Sequence, residues 1–193
     1  MVSRGESLIE QYKAIHSRCC DYGTSSERLF YLISPYVLDL NTENVLDYGC
    51  GRSKLVDRLK ETGHCLRAFR YDPAVPEFSV IPNVKIDLIL NTDVLEHIPE
   101  EALDSVLMRI KSICQNVFFK IALLPSVTLL PNGKNAHCTL RSMDWWHQKL
   151  LKHFSYVEEI PSLNKRSAHF VIWRPTWKTR LRHLFSFFDR WKQ

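Results

Sequence analysis

The chain has 193 residues, 45% of them hydrophobic and 24% charged, with a net charge of +5. That length and balance fit one globular domain with its own core, and exclude a mainly disordered, collagen-like or low-complexity chain. No apolar run approaches the ~20 residues of a membrane-spanning helix, and the polar start carries no signal segment, so a reducing cytoplasm is the expected compartment.

The six cysteines, Cys19, Cys20, Cys50, Cys65, Cys114 and Cys138, include no Cys-x-x-Cys pair. They read as free thiols rather than a zinc site or a disulfide frame. Residues 5–16 and 25–40 have helical periodicity, the second with Ser25 or Ser26 as N-cap. Asn44–Tyr48 is a short buried strand, and 53–62 is a helix stopped by Gly63. Leu66–Tyr71 and Ile86–Asn91 are further strands. Pro99 opens a helix to Cys114 with Leu103, Val106, Leu107 and Ile110 on one face.

Asn116–Ala122 is the next strand, and a loop rich in Pro, Gly and Asn fills 123–141. Loops of that length in a compact domain tend to be functional. Ser142 caps a helix to His153. Phe154–Ile160 and Ala168–Arg174 follow as strands whose short link permits only an antiparallel pair. A helix over 176–190 ends the chain. Alternating strands and helices predict an α/β fold with a mostly parallel sheet and an antiparallel C-terminal hairpin. The chain divides into a helical cover (1–40), a core (41–174) and a basic amphipathic helix (175–193).

The informative stretch is Val45-Leu46-Asp47-Tyr48-Gly49-Cys50-Gly51-Arg52-Ser53. A buried strand runs into a Gly-x-Gly turn, and a helix follows whose free N–H groups would face a polar ligand. Asp72 stands 21 residues after Gly51, where an acid can accept both hydroxyls of a ribose. Dinucleotide enzymes use a related fingerprint, but the third glycine is replaced by Lys54 and a strand hairpin closes the chain instead of a second nucleotide-binding half.

With Tyr-Asp-Pro at 71–73 and Asp-Leu-Ile-Leu-Asn-Thr-Asp-Val-Leu-Glu-His-Ile-Pro at 87–99, the sequence resembles the class I S-adenosylmethionine-dependent methyltransferases over residues 40–174. The resemblance implies a Rossmann-like sheet and S-adenosylmethionine as cofactor. It assigns the methionine part of the donor to Asp47, Gly49, Cys50 and Gly51, and the ribose to Asp72 with Pro73. It assigns the adenine and methyl side to Thr92, Asp93, Val94 and His97, with Tyr22 lining the site from the N-terminal cover. The family's third strand is expected to be short or missing, because only 74–85 is available for it.

The loop at 131–137 leaves the sheet edge where α/β ligands bind. His137 is the candidate base for an acceptor hydroxyl, with Lys134 and Asn135 as acceptor contacts. Trp145 and Trp146 are expected to pack rather than touch substrate. No carboxylate cluster suggests a metal. Similarity to small bacterial enzymes of glycan and lipopolysaccharide clusters implies an oxygen of a sugar or glycolipid as acceptor. A tRNA or protein methyltransferase and a non-catalytic S-adenosylmethionine-binding relative are the alternatives.

Residues 176–193 carry Lys178, Arg180, Arg182, Arg190 and Lys192 against Asp189, with Trp177, Leu181, Leu184, Phe185, Phe188 and Trp191 at helical spacing. Such a helix suits an anionic membrane surface, at the inner face of the membrane, or else packing on the body or a dimer contact. Charge confined to a tail, with no RNA-binding module in view, disfavours nucleic acid.

Overall fold

A computed structural model describes residues 4–19, 22–162 and 165–189, with the side chains of 4–7 and 186–189 left aside. Cys20, Arg190, Trp191 and Lys192 lie outside the described residues, as does the side chain of Phe188. The elements are α1 (Arg4–Arg18), α2 (Phe30–Asp39), β1 (Asn44–Tyr48), α3 (Leu55–Glu61), β2 (Arg67–Tyr71), β3 (Leu88–Thr92), α4 (Glu100–Ile113), β4 (Val117–Ala122), α5 (Met143–Leu151), β5 (Glu158–Glu159), β6 (Ser167–Val171) and α6 (Trp177–Asp189).

They build a six-stranded sheet in the order β2-β1-β3-β4-β6-β5. The first three pairings are parallel and the last two antiparallel, as expected. Every residue of β1, β3 and β6 is buried, because helices cover both faces. Neighbouring residues go to opposite sides, as strand geometry requires. Leu46, Ile89, Phe119 and Phe170 join Leu103, Leu107 and Trp146 under α4 and α5. Val45, Leu88, Phe118 and Val171 join Ile33, Leu55 and Leu59 under α2 and α3. Trp146 is fully buried and Trp145 meets it edge-on at 5.0 Å, so the tryptophan pair packs.

Span 74–85 holds a short 3₁₀ turn (Pro76–Phe78) and no strand, which leaves β2 as the edge of the parallel part. The chain reads outward from β1 to β2 on one side and to β3 on the other. The crevice at the carboxyl ends of β1 and β3 is therefore a topological switch point, where open α/β sheets bind ligands.

Two local expectations differ from the structure, and α6 follows one of its expected placements. The predicted 25–40 helix is a 3₁₀ segment (Ser25–Leu29) followed by α2, and neither serine caps it. Ser25 Oγ donates instead to Asp93 at 3.0 Å, and Ser26 Oγ to Ser53 Oγ at 2.6 Å. Strand β5 has only two residues, Glu158 and Glu159, paired with Val171 and Phe170, while Phe154 packs on Phe119 with ring centres 5.9 Å apart. Helix α6 does pack on the body, but through its polar side. Thr179 and His183 are 1% and 2% exposed, and Asp39 of α2 accepts from Thr176 and Thr179. Trp177, Leu181, Leu184 and Phe185 face outward at 44–70% exposure.

Candidate functional site

The Gly-x-Gly turn after β1 is held from several directions. Gly49 and Cys50 donate N–H bonds to the Tyr71 carbonyl at 2.7 and 3.1 Å, and Gly51 donates to Asp72 Oδ2 at 2.9 Å. Gly49 and Gly51 have φ of +84° and +53°. A Cβ on Gly49 would stand 2.3 Å from Val94 Cγ2, and one on Gly51 would stand 2.9 Å from the Cα and carbonyl oxygen of Gly23. Glycine is required at both positions by backbone conformation and by space.

The expected helix N-terminus is not offered to a ligand. Helix α3 starts at Leu55, beyond the turn, and its first N–H groups are taken. Lys54 donates to Glu27 Oε1 at 2.9 Å and Leu55 to Ser53 Oγ at 3.1 Å, while Arg52 N–H goes to the Gly23 carbonyl at 3.2 Å. The ligand-facing chemistry of this wall therefore comes from Asp72 and the glycine backbone.

A cavity of about 690 Å³ opens over the switch point, within the size range of small-molecule sites. Of the predicted site residues, Tyr22, Gly49, Cys50, Gly51, Asp72, Pro73, Thr92, Asp93, Val94, His97 and His137 line it. Asp72 is only 9% exposed; Oδ1 accepts from Ala74 N–H at 2.8 Å and Oδ2 from Gly51. A carboxylate has about four acceptor positions, so lone pairs remain on both oxygens. Burial pushes the Cys50 thiol well above its usual range, and it behaves as a small wall group.

Three predicted residues stand elsewhere. Asp47 is fully buried behind the turn, and neither carboxylate oxygen has a partner among the described residues. Lys134 is exposed and off the cavity wall. Asn135 is spent on the loop itself: its amide donates to the Ser126 carbonyl at 2.8 Å, and Oδ1 accepts from Ser126 and His137 N–H at 3.0 and 2.9 Å. It shapes the loop that presents His137.

Burial, reinforced by the Asp72 carboxylate, pushes Asp47 up to about 7, partly offset by Arg70. The unfolded chain loses this proton near pH ~3.9. Between those values the folded state holds a proton that the unfolded state has released. The contribution is therefore whole below about pH 4 and fades as pH rises toward 7. Asp47→Asn should flatten that slope: thermal midpoints taken at pH 5 and pH 8 should differ by several degrees less than in the parent chain.

On the opposite wall, Asp93 follows the last residue of β3 with φ of +56°, an uncommon conformation for a residue with a Cβ. Asp93 is held by an ion pair with Lys120 and by Ser25. The 3₁₀ turn Leu95–His97 follows. Glu96 is fully buried; Oε1 accepts from Ala122 N–H at 2.8 Å and Oε2 has no partner among the described residues. Burial, then Asp93, raises its carboxyl to about 8.

His97 Nδ1 lies 3.0 Å from the Ala136 carbonyl oxygen and 3.0 Å from Tyr12 Oη, while Tyr12 donates to the same carbonyl at 2.8 Å. A carbonyl can only accept, so Nδ1 carries the hydrogen and Nε2 the lone pair. His137 follows the same logic, with Nδ1 2.6 Å from the Leu124 carbonyl. The two imidazoles meet edge-on at 4.8 Å. Burial lowers His97 to about 4, so its ring is neutral near pH 7.

Sequence reasoning allowed His16 to reach the site from the end of the first helix but missed Leu8 and Tyr12. Leu8, Tyr12 and His16 line the cavity from one helix face, and their i, i+4, i+8 spacing was the available signal. Arg109 of α4, 5.6 Å from the Tyr71 ring, was missed because it lies on the helix's polar side.

No family model and no curated protein matches this chain. Solved structures do. DhpI in its SAM-HEP complex is 13% identical with a TM-score of 0.65, covering 89% of this chain and 99% of DhpI. The 1,6-didemethyltoxoflavin-N1-methyltransferase of Burkholderia thailandensis, solved with 1,6-didemethyltoxoflavin and S-adenosylhomocysteine, is 16% identical with a TM-score of 0.57 and 89% coverage of each chain. The mitomycin 7-O-methyltransferase MmcR is 14% identical with a TM-score of 0.57, covering 79% of this chain and 54% of that one. In fold, this chain is a Rossmann-like α/β domain of the kind those methyltransferases share.

Proposed function

We propose that the chain transfers a methyl group from S-adenosylmethionine to an oxygen of a small acceptor, a sugar or glycolipid hydroxyl. The observation that carries this reading is one cavity with a glycine turn and Asp72 on one wall and a lone-pair-bearing imidazole, His137, on another. Its fold neighbours bear methyltransferase names, or were solved with the donor or its demethylated product.

The residues present fit the donor. Asp72 keeps lone pairs for the ribose hydroxyls, and the Gly49–Gly51 backbone leaves the space that a Cβ would fill. Thr92, Asp93, Val94 and His97, which line the same cavity, would supply the adenine and methyl side, with Tyr22 also on its wall. When bound, the donor supplies an electrophilic sulfonium methyl. His137 Nε2 takes the acceptor's hydroxyl proton as the new C–O bond forms and the C–S bond breaks, leaving a neutral thioether. Tyr12 and Val94 help line a cavity that limits water at the reacting atoms.

Calorimetric titration with S-adenosylmethionine and with S-adenosylhomocysteine tests the reading. Binding of both is expected, with Asp72→Ala weakening each roughly 10- to 100-fold through lost charged hydrogen bonds and a loosened turn. Absence of heat with either nucleoside would sink the reading.

The exposed side of α6 supports a location at the cytoplasmic face of an anionic membrane. Trp177, Leu181, Leu184 and Phe185 are exposed and share one arc of the helix, flanked on one side by the exposed Lys178 and Arg182, while Arg180 is paired with Glu158 at 2.8 Å. Among the described residues no helix is long and apolar enough to cross a membrane, so the contact would lie in the interface plane. Vesicles rich in phosphatidylglycerol should pellet the chain and phosphatidylcholine vesicles should not. Trp177→Ser with Leu184→Ser should lower the partition roughly tenfold or more. Equal pelleting with both lipids, or no change in the double variant, would refute the location.

A further inference from the structure

The acceptor side of the cavity holds an arrangement that general-base chemistry alone leaves unexplained. Glu96, His97 and His137 each bring one ligand atom within 4.8 Å of the others. Glu96 and His97 sit on the turn after β3, whereas His137 returns from a loop forty residues further along, so their meeting is a product of the fold.

The hydrogen bonds around the three groups orient them in one sense. Each histidine has Nδ1 on a backbone carbonyl, Ala136 for His97 and Leu124 for His137. That is the outer-shell contact that fixes an imidazole's tautomer and frees Nε2 as a ligand. Glu96 is anchored through Oε1 to Ala122, and Oε2 is a buried oxygen without a partner among the described residues. A buried, unpartnered carboxyl oxygen beside two lone-pair nitrogens is costly unless a proton or a cation sits among them, and a cation can be shared by all three groups at once. The neighbouring Lys120 is bound to Asp93 instead.

We propose that Glu96, His97 and His137 bind a first-row divalent cation whose remaining coordination positions face the cavity. The donor set is two imidazoles and one carboxylate, with no thiolate. That favours Fe²⁺, Co²⁺, Mn²⁺ or Zn²⁺ over Mg²⁺ and Ca²⁺, which prefer all-oxygen shells. Ligand bonds of ~2.1 Å place tetrahedral donor atoms about 3.4 Å apart, so side chains now within 4.8 Å of one another close by about an ångström or slightly more on binding, a shift that side-chain rotation on the 95–97 turn and the 131–137 loop can supply.

The role of the cation rests on the methyltransferase reading and deepens it. The cation would acidify a coordinated acceptor hydroxyl, whose proton would pass to solvent; the C–O bond would form as the donor's C–S bond breaks, leaving a neutral thioether. His137 would then serve as a ligand and not as the base, and the acceptor would present an oxygen able to coordinate.

The experiment is titration of the full, metal-stripped chain with Co²⁺ and Zn²⁺, read by calorimetry and, for Co²⁺, by visible absorption. Mg²⁺ serves as the comparison. One cation per chain is expected, with visible bands typical of nitrogen and oxygen ligands and far weaker binding of Mg²⁺. His137→Ala and Glu96→Gln should each lower Co²⁺ affinity at least tenfold; the glutamine keeps an acceptor for Ala122, and circular dichroism checks both folds. No stoichiometric binding, or binding that neither variant weakens, overturns the site. The two readings fail separately: a chain that binds the donor nucleoside but not Co²⁺ refutes the cation site alone, and one that binds Co²⁺ but not the nucleoside refutes the methyltransferase reading alone.

Discussion

Gly51→Ala is expected to lower affinity for S-adenosylmethionine by at least ~100-fold while the chain stays folded. Two effects add. Alanine at φ of +53° costs about 1 kcal/mol, as left-handed backbone does for any residue with a Cβ. The new methyl also meets Gly23 at 2.9 Å, and what it meets is backbone, which cannot rotate away. Gly23 has little room to retreat: its own φ is +80°, and it lies against His16 and the Gly51–Arg52 backbone. The 22–23 segment must lift, taking Tyr22 off the cavity wall and away from the His16 ring it meets edge-on at 5.0 Å. Gly63→Ala is the matched control. Gly63 also has positive φ, +74°, but an added Cβ there finds nothing within 4 Å. It carries the backbone effect without the clash, should cost a few degrees in midpoint, and should leave donor affinity unchanged. Calorimetry on both variants, with circular dichroism to check the fold, separates a crowded binding turn from mere backbone strain. Equal donor affinity in the two variants would mean that the interlocked glycines do not shape the donor site.

Much of the sheet was legible because the informative signals are local. Five consecutive residues, Asn44–Tyr48, run straight into Gly-x-Gly, and the fully buried strand and its turn follow. Helix α4 was readable from Leu103, Leu107 and Ile110 on one face, and the absence of a strand in 74–85 from its prolines. The misreadings share a physical origin, namely partners distant in sequence. Ser25 and Ser26 look like caps, but their hydroxyls reach Asp93 and Ser53, 68 and 27 residues away. The start of α3 looks like an open anion site, but Glu27 occupies one of its first N–H groups. The periodicity of α6 reveals an amphipathic helix without saying which side is buried, and Asp39 selects the threonine side. The His97–His137 pair depends on how the 123–141 loop folds back, which Asn135 determines through three hydrogen bonds within that loop.

His137→Ala should reduce kcat by roughly 10²–10⁴-fold with little change in donor affinity. The position permits a clean reading. His137 is half-buried on a loop whose shape is fixed by Asn135 and by the Leu129–Asn135 bridge, so removing the imidazole leaves the fold and the opposite wall intact. The donor-side groups Asp72, Gly49 and Gly51 are held by contacts that do not involve His137. Loss confined to kcat would show that the imidazole acts in the transition state, directly on the acceptor's oxygen or through a cation it holds, whereas a rise in KM at constant kcat would make it only a binding contact. Asn135→Ala provides the graded comparison. It removes the acceptor for the His137 N–H and both ties to Ser126 but leaves the imidazole in place. A loosened His137 should lower kcat by a smaller factor, about 10-fold, because misplacement by a fraction of an ångström costs part of the positioning and none of the chemistry. If both variants turned over at the parent rate, the loop carrying His137 would have no part in the transfer, and the acceptor would have to be activated from another wall of the cavity.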